Sequence, residues 1–214
     1  MHTIRIWFTK TGEAAYISLL DLQRVMGRAL KRSGLPVWYT LGFNPHIYMT
    51  FTCPLSLGQE SLVESVDVKT EEEQPDFAAW QQALEPVMPT GLKVVRVDYP
   101  RMKAEQIGAA VYTITAPADA AKAAEQYNAL TEAVVMKKSK RGEKPVDLKA
   151  YLPRLEPEPA QGDVRFTVTL PASETLNLNP ALLLKFLQER FGLPAEECSI
   201  LRTALLTKEG TPFG

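Results

Sequence analysis

The chain has 214 residues, 45% of them hydrophobic and 23% charged, with a formal net charge of −1. These values describe a globular protein of one large or two small domains and exclude wholesale disorder. Cys53 and Cys198 are too few for a disulfide framework, and no CxxC or HExxH pattern supplies a zinc or iron–sulfur site.

The first half alternates strands and helices. TIRIWFT (3–9) alternates around β-branched and aromatic residues, as a half-buried strand does. The run ISLLDLQRVMGRALKRSG predicts a helix with Ser18 as N-cap and Asp21 three positions on. Leu22, Val25, Met26, Ala29 and Leu30 recur at helical spacing, and Gly34 ends the run. LPVWYTL (35–41) is expected as a second strand and SLVESVDVK (61–69) as a third. A helix follows from Pro75–Asp76, then a strand over 92–100. This order, β-α-β-β-α-β, is that of a ferredoxin-like unit.

The second half repeats the pattern without repeating the residues. AAVYTITAP (109–117) reads as a strand and DAAKAAEQYNALTEAVV as an alanine-rich helix. VVMKKSKRG reads as a basic strand, and DVRFTVTLP (163–171) alternates cleanly. NPALLLKFLQERFG predicts a helix with Asn179 at the cap, Pro180 at its first position and Gly192 at its end, and SILRTALLT closes as a strand. The expected fold class is α+β, two ferredoxin-like (βαββαβ) halves in tandem. The halves are 1–100 and 109–214, the second with a basic loop at 137–149. MHTIRIWFTKTG lacks the basic-then-apolar plan of a signal peptide, and no apolar run approaches the ~20 residues of a membrane span. A cytoplasmic protein with no membrane contact is the expectation.

Charge is unevenly placed. Residues 1–50 carry six Lys/Arg against Glu13 and Asp21, while residues 51–100 carry three against nine acids. Arg24 and Arg28 lie four apart on the first helix, with Lys31 and Arg32 a turn further on. They form either the wet side of an amphipathic helix or a ridge that meets a polyanion. Lys10, where a strand meets a turn, is either solvated or a phosphate ligand. The block KKSKRGEKPVDLKAYL (137–152) is a hairpin-like basic loop, either a solvated turn or a clamp on nucleic-acid phosphates. In the second case Lys138, Lys140 and Arg141 are its cations and Tyr151 is available for base stacking.

GFNPHIYMTF (42–51) gathers Gly42 and Pro45 as punctuation, Asn44 and His46 as polar heads, and Phe43, Tyr48 and Phe51 as aromatic mass. His46 is open to a structural, a binding or an acid/base role. No GxSxG-type motif activates a nucleophile, and His2 at the terminus is a poor metal partner. No residue is therefore assigned a catalytic or metal-binding role.

With FTKTG, ISLLDLQRVMGRALKRSGLPV and LGFNPHIYMTFTCPLSLGQES in hand, the chain resembles a bacterial family. It is similar to the radical-SAM-linked domain of unknown function, found beside or fused to cobalamin-binding-type radical SAM proteins. Phe8, Lys10, Gly12, Ser18, Leu20, Asp21, Gly42, Phe43, Asn44, Pro45, His46, Phe51, Pro54, Leu55, Gly58 and Ser61 carry the resemblance. Leu19 stands where that family has histidine, and Ile47 where it has a second proline. Leu19 removes one member of any two-histidine mechanism.

The resemblance implies an accessory substrate-recognition or adaptor protein working with a radical SAM enzyme and holding RNA. Lys10, Ser18, Asp21, Arg24, Arg28, Asn44, His46, Lys138, Lys140 and Arg141 are the expected binding residues. The partner is expected to carry S-adenosylmethionine, an iron–sulfur cluster and, in the cobalamin-binding type, cobalamin. No cofactor is expected on this chain. The alternatives are a metal-independent ribonuclease resembling the CRISPR repeat-processing enzymes, with His46 as acid/base, and a protein-interaction scaffold for the radical SAM partner.

Overall fold

A computed structural model describes residues 1–139 and 142–214. The chain divides into two units, Met1–Gln106 with Phe213–Gly214, and Ile107–Pro212. Among the described residues there are four α-helices and ten strands, a mixed α+β composition with antiparallel pairing. No helix among them is long and apolar enough to cross a membrane.

In the first unit, β1 (His2–Lys10) is followed by α1 (Leu19–Ser33), β2 (Met49–Phe51), β3 (Glu60–Thr70), α2 (Phe77–Leu84) and β4 (Leu92–Asp98). The strand order is β4-β1-β3-β2, every pair antiparallel. Alternation on β1 sends Ile4, Ile6 and Phe8 to one face. Ile4 and Ile6 lie opposite Val68 and Val66 of β3, and Phe8 opposite Val94 of β4. These side chains join Leu22, Met26 and Leu30 of α1 and Trp80 and Leu84 of α2 in one apolar core. Full burial of an aliphatic side chain of this kind contributes about 1.5–3 kcal/mol, so this shared core holds α1 in place.

The expected strand at 35–41 is not formed. Two single bridges stand there, Val37–Thr70 and Tyr39–Ile47. Pro36 has no N–H to give a ladder, and Val37 N–H turns back to Leu35 O at 2.8 Å. The place beside β3 is taken instead by β2, with Met49 opposite Val68 and Phe51 opposite Val66.

The second unit runs β5 (Ile107–Pro117), α3 (Ala120–Asn128), β6 (Val134–Ser139), β7 (Gly142–Asp147), β8 (Glu158–Ala160), β9 (Asp163–Pro171), α4 (Ala181–Phe191) and β10 (Ser199–Thr207). Four strands pair in the order β10-β5-β9-β8, again antiparallel. On β9, Val164, Phe166, Val168 and Leu170 are buried and Arg165, Thr167 and Thr169 between them exposed, as the sequence alternation requires. β6 and β7 pair separately as a two-stranded ribbon. The alanine-rich helix stops seven residues before the expected end. The Asn128 amide exchanges two 2.8 Å bonds with Leu155, and Val134 and Val135 go to β6, where β-branched side chains fit better.

Candidate functional site

Helix α1 begins on a sequence-encoded cap. Ser18 Oγ accepts the Asp21 N–H at 3.1 Å and donates to Asp21 Oδ2 at 2.8 Å. That hydroxyl bond, and then the Arg24 guanidinium, hold the Asp21 carboxyl below the ordinary carboxylate value. Gly34, at φ +71°, ends the helix in the left-handed conformation. Leu22, Met26, Ala29 and Leu30 face the core, which leaves Arg24, Arg28, Lys31 and Arg32 exposed on the far side. Arg24 pairs with Asp21 at 2.9 Å, and Lys31 Nζ lies 5.9 Å from the Tyr39 ring centre. Arg28 makes no ion pair among the described residues.

The loop after Trp38 folds back on itself. Thr40 N–H donates to His46 O at 2.8 Å, and His46 N–H donates to Thr40 Oγ1 at 3.1 Å. Ile47 anchors the return in the core. His46 Nδ1 lies 3.1 Å from Asn44 O and 3.0 Å from Thr40 Oγ1. Nδ1 thus sits between a carbonyl oxygen, which only accepts, and a hydroxyl, which can donate or accept, so both tautomers find a partner there. At the loop tip Leu41 and Phe43 are almost wholly exposed.

These two segments enclose a cavity of about 590 Å³. Arg24, Arg28 and Lys31 line one wall and His46 and Tyr48 the other, with Gly27 between the cations. The Tyr48 ring is held edge-on to Trp38, and Lys69 Nζ lies 4.3 Å from its centre. The size suits a small ligand or one unit of a polymer. The arrangement can attract anions through three cations beside one imidazole.

Of the residues expected at a site, Arg24, Arg28 and His46 share this cavity. Ser18 and Asp21 serve as the cap of the same helix, and Asn44 contributes its backbone carbonyl to orient His46. Lys10 is not at a surface: it is 1% exposed, and its ammonium donates to Ala15 O at 2.9 Å. The alternation of β1 and the overlying 12–16 turn bury it, so its role is internal. Lys138 belongs to the second unit, where it lines a separate cavity of about 350 Å³ with Lys137, Lys185, Asn177 and Asn179. It pairs there loosely with Glu143 at 3.8 Å. Lys140 and Arg141 lie outside the described residues.

Gly27 is a site residue that the charge and motif patterns pass over. A glycine inside a helix costs about 1 kcal/mol relative to alanine, and that penalty is the signal a sequence carries for such a position. Among the described residues no group of three or more His, Cys, Asp or Glu side chains could hold a metal ion.

Residues 3–180 match the model of a family described as an uncharacterized protein conserved in bacteria (DUF2344), and the chain belongs to that family. No curated protein matches it.

Proposed function

We propose that this member of the family is a non-catalytic recognition module that holds RNA for a partner enzyme, with the α1 cavity as its contact surface. The observation that carries the reading is the convergence of Arg24, Arg28 and Lys31 with His46 and Tyr48 around one opening. Phosphates meet the cations, and the exposed Phe43 ring at the tip of the same loop takes a base. Each unit is read as a ferredoxin-like fold, supported by the orders β4-β1-β3-β2 and β10-β5-β9-β8 and by the β-α-β-β-α-β succession of the first unit. In the second unit the β6–β7 ribbon is an insertion in that plan, and its lysines supply a further phosphate contact. The partner is a radical SAM enzyme. That element of the proposal rests on the resemblance of the FTKTG, helix and GFNPH segments alone.

The test is binding of a labelled RNA across a salt series. Three phosphate contacts on a single strand give a slope of log K on log salt of about −2, and Arg28→Glu reduces both affinity and slope. No binding at low salt overturns the RNA reading. RNA cleavage that disappears in His46→Ala replaces it with the ribonuclease reading, for which the His46 imidazole would be the base.

A second reading, a scaffold that docks the partner through the loop tip, draws on the exposure of Leu41 and Phe43. Capture of a radical SAM partner that survives high salt but fails in Phe43→Ala favours it over RNA binding.

A further inference from the structure

Alternation on β3 turns Val66 and Val68 into the core, so Asp67 and Lys69 stand on the opposite face of the sheet, away from α1. Thr3 of β1 lies opposite Lys69, and Thr50 of β2 opposite Asp67. A cavity of about 900 Å³ opens on this face, with the segment 100–106 as its far wall. Arg5 seats that wall, because it grips Asp67 and also donates to Met102 O at 2.9 Å. Asp67 is thereby committed to Arg5. Lys69 Nζ lies 4.3 Å from the Tyr48 ring centre and 5.3 Å from that of Trp38. It makes no ion pair among the described residues. Two rings hold an ammonium in place but do not cancel its charge. Arg101 and Lys103 line the same cavity, both exposed, and Arg101 reaches Asp98 only at 3.4 Å. Outside the Arg5 pair, the acid in this lining is Glu105, so the three cations outnumber it.

Three cations beside the hydroxyls of Thr3 and Thr50 are the chemistry that receives phosphate oxygens. Lys69 is already oriented by its rings, so little side-chain freedom is lost when an anion arrives. Tyr48 lines both this cavity and the α1 cavity, and the two therefore adjoin at one residue. A small phosphorylated molecule fills one cavity, whereas a chain of phosphates can continue from one into the other. Resting on the RNA-binding reading above, we propose that the open face of this sheet is a second phosphate site. One RNA strand runs past Tyr48 from the α1 cations to Lys69, Arg101 and Lys103, and Thr3 and Thr50 donate hydrogen bonds to the same phosphates.

The experiment measures fluorescence anisotropy of the full chain with a labelled oligouridine of about 16 nucleotides, from about 50 to about 200 mM salt. The variant combines Lys69→Met, Arg101→Gln and Lys103→Gln, and methionine keeps an unbranched stem on the Trp38 and Tyr48 rings. Three lost phosphate contacts make its slope of log K on log salt shallower than the parent's by about 2, and its affinity at about 50 mM salt falls about tenfold or more. Loss of fold alone does not change that slope among the molecules that bind. If thermal melts show the triple variant damaged, Arg101→Gln with Lys103→Gln decides, with a slope shallower by about 1.4. Titration at concentrations above Kd is expected to give one strand per chain, and two strands per chain overturn the continuous path. An unchanged slope, while Arg28→Glu still weakens binding, overturns the open-face site and leaves the α1 reading standing. Absence of RNA binding to the parent at low salt overturns the underlying reading itself.

Discussion

β1 and α1 each bring cations to the first unit, and the two sets have opposite fates. On β1, Arg5 is 1% exposed and grips Asp67 with two bonds, Nε to Oδ1 at 2.6 Å and a terminal nitrogen to Oδ2 at 2.8 Å. Its other terminal nitrogen donates to Met102 O at 2.9 Å. Lys10, on the same strand, is equally buried. On α1, Arg28 stands exposed at the edge of a cavity without an ion pair among the described residues. Burial makes a charge obligatory to its partners, because a lone ion in the interior cannot recover its lost hydration. Exposure leaves the charge available to something else. The two regions thus separate cations that hold the fold from cations that can hold a ligand.

The largest effect that can break this contrast lies on β1. Arg5→Ala strands the Asp67 carboxylate and the Met102 carbonyl and is expected to destabilise the chain by about 3–5 kcal/mol, read from urea unfolding. A loss under about 1 kcal/mol would place Arg5 with the surface cations. On α1 the expectation reverses. Arg28→Glu is expected to leave unfolding free energy within about 0.5 kcal/mol of the parent. It should weaken RNA binding about tenfold or more, the scale of one charge-assisted hydrogen bond. Ser18→Ala tests whether the α1 face depends on its cap. A loss of about 1 kcal/mol is expected, with RNA affinity per folded molecule nearly unchanged.

A further effect concerns pH and carries the same contrast to groups of the other sign. Asp21 is exposed and lowered by its partners, chiefly the Ser18 hydroxyl. A depressed carboxyl contributes stability above its ordinary value of 3.8, and that contribution disappears as pH falls through the lower folded value. Cys198 is the converse. Burial, then Glu196, Glu197 and Asp119, push its thiol from 9.0 up to about 11. Its contribution is complete below pH 9 and is lost as pH rises toward 11. Tyr127, raised by burial and then by Asp147 from an ordinary 10.0, adds to the same alkaline loss at still higher pH. Unfolding midpoints of the parent should therefore fall between pH 9 and 11 more steeply than those of Cys198→Ser. Parallel slopes would remove Cys198 from this account.

Much of the fold was legible because short-range patterns decide it. The alternation of 163–171 and the strand-forming run 199–207 mark β9 and β10 at their observed bounds, and Ser18 and Gly34 bracket α1 as cap chemistry requires. Tyr39 and Trp38 have strand-forming side chains, yet the segment 35–41 lost its strand to Met49–Phe51. Which run lies beside β3 is settled by long-range pairing and by the missing N–H of Pro36. The candidate site was legible in part: Arg24, Arg28 and His46 were readable as charge and as motif, and the cavity assembles them.

By itself, the sequence determined the caps of α1, the extent of β9 and β10, which face of each is apolar, and which residues carry charge. Those properties depend on neighbours within a turn or two of the chain. Only the tertiary structure decided that Lys10 is an internal ligand of Ala15 O and not a surface cation. It alone placed His46 across from Arg28, eighteen residues away along the chain. Burial and proximity arise when separate elements pack on a common core, and no local window of residues contains that information.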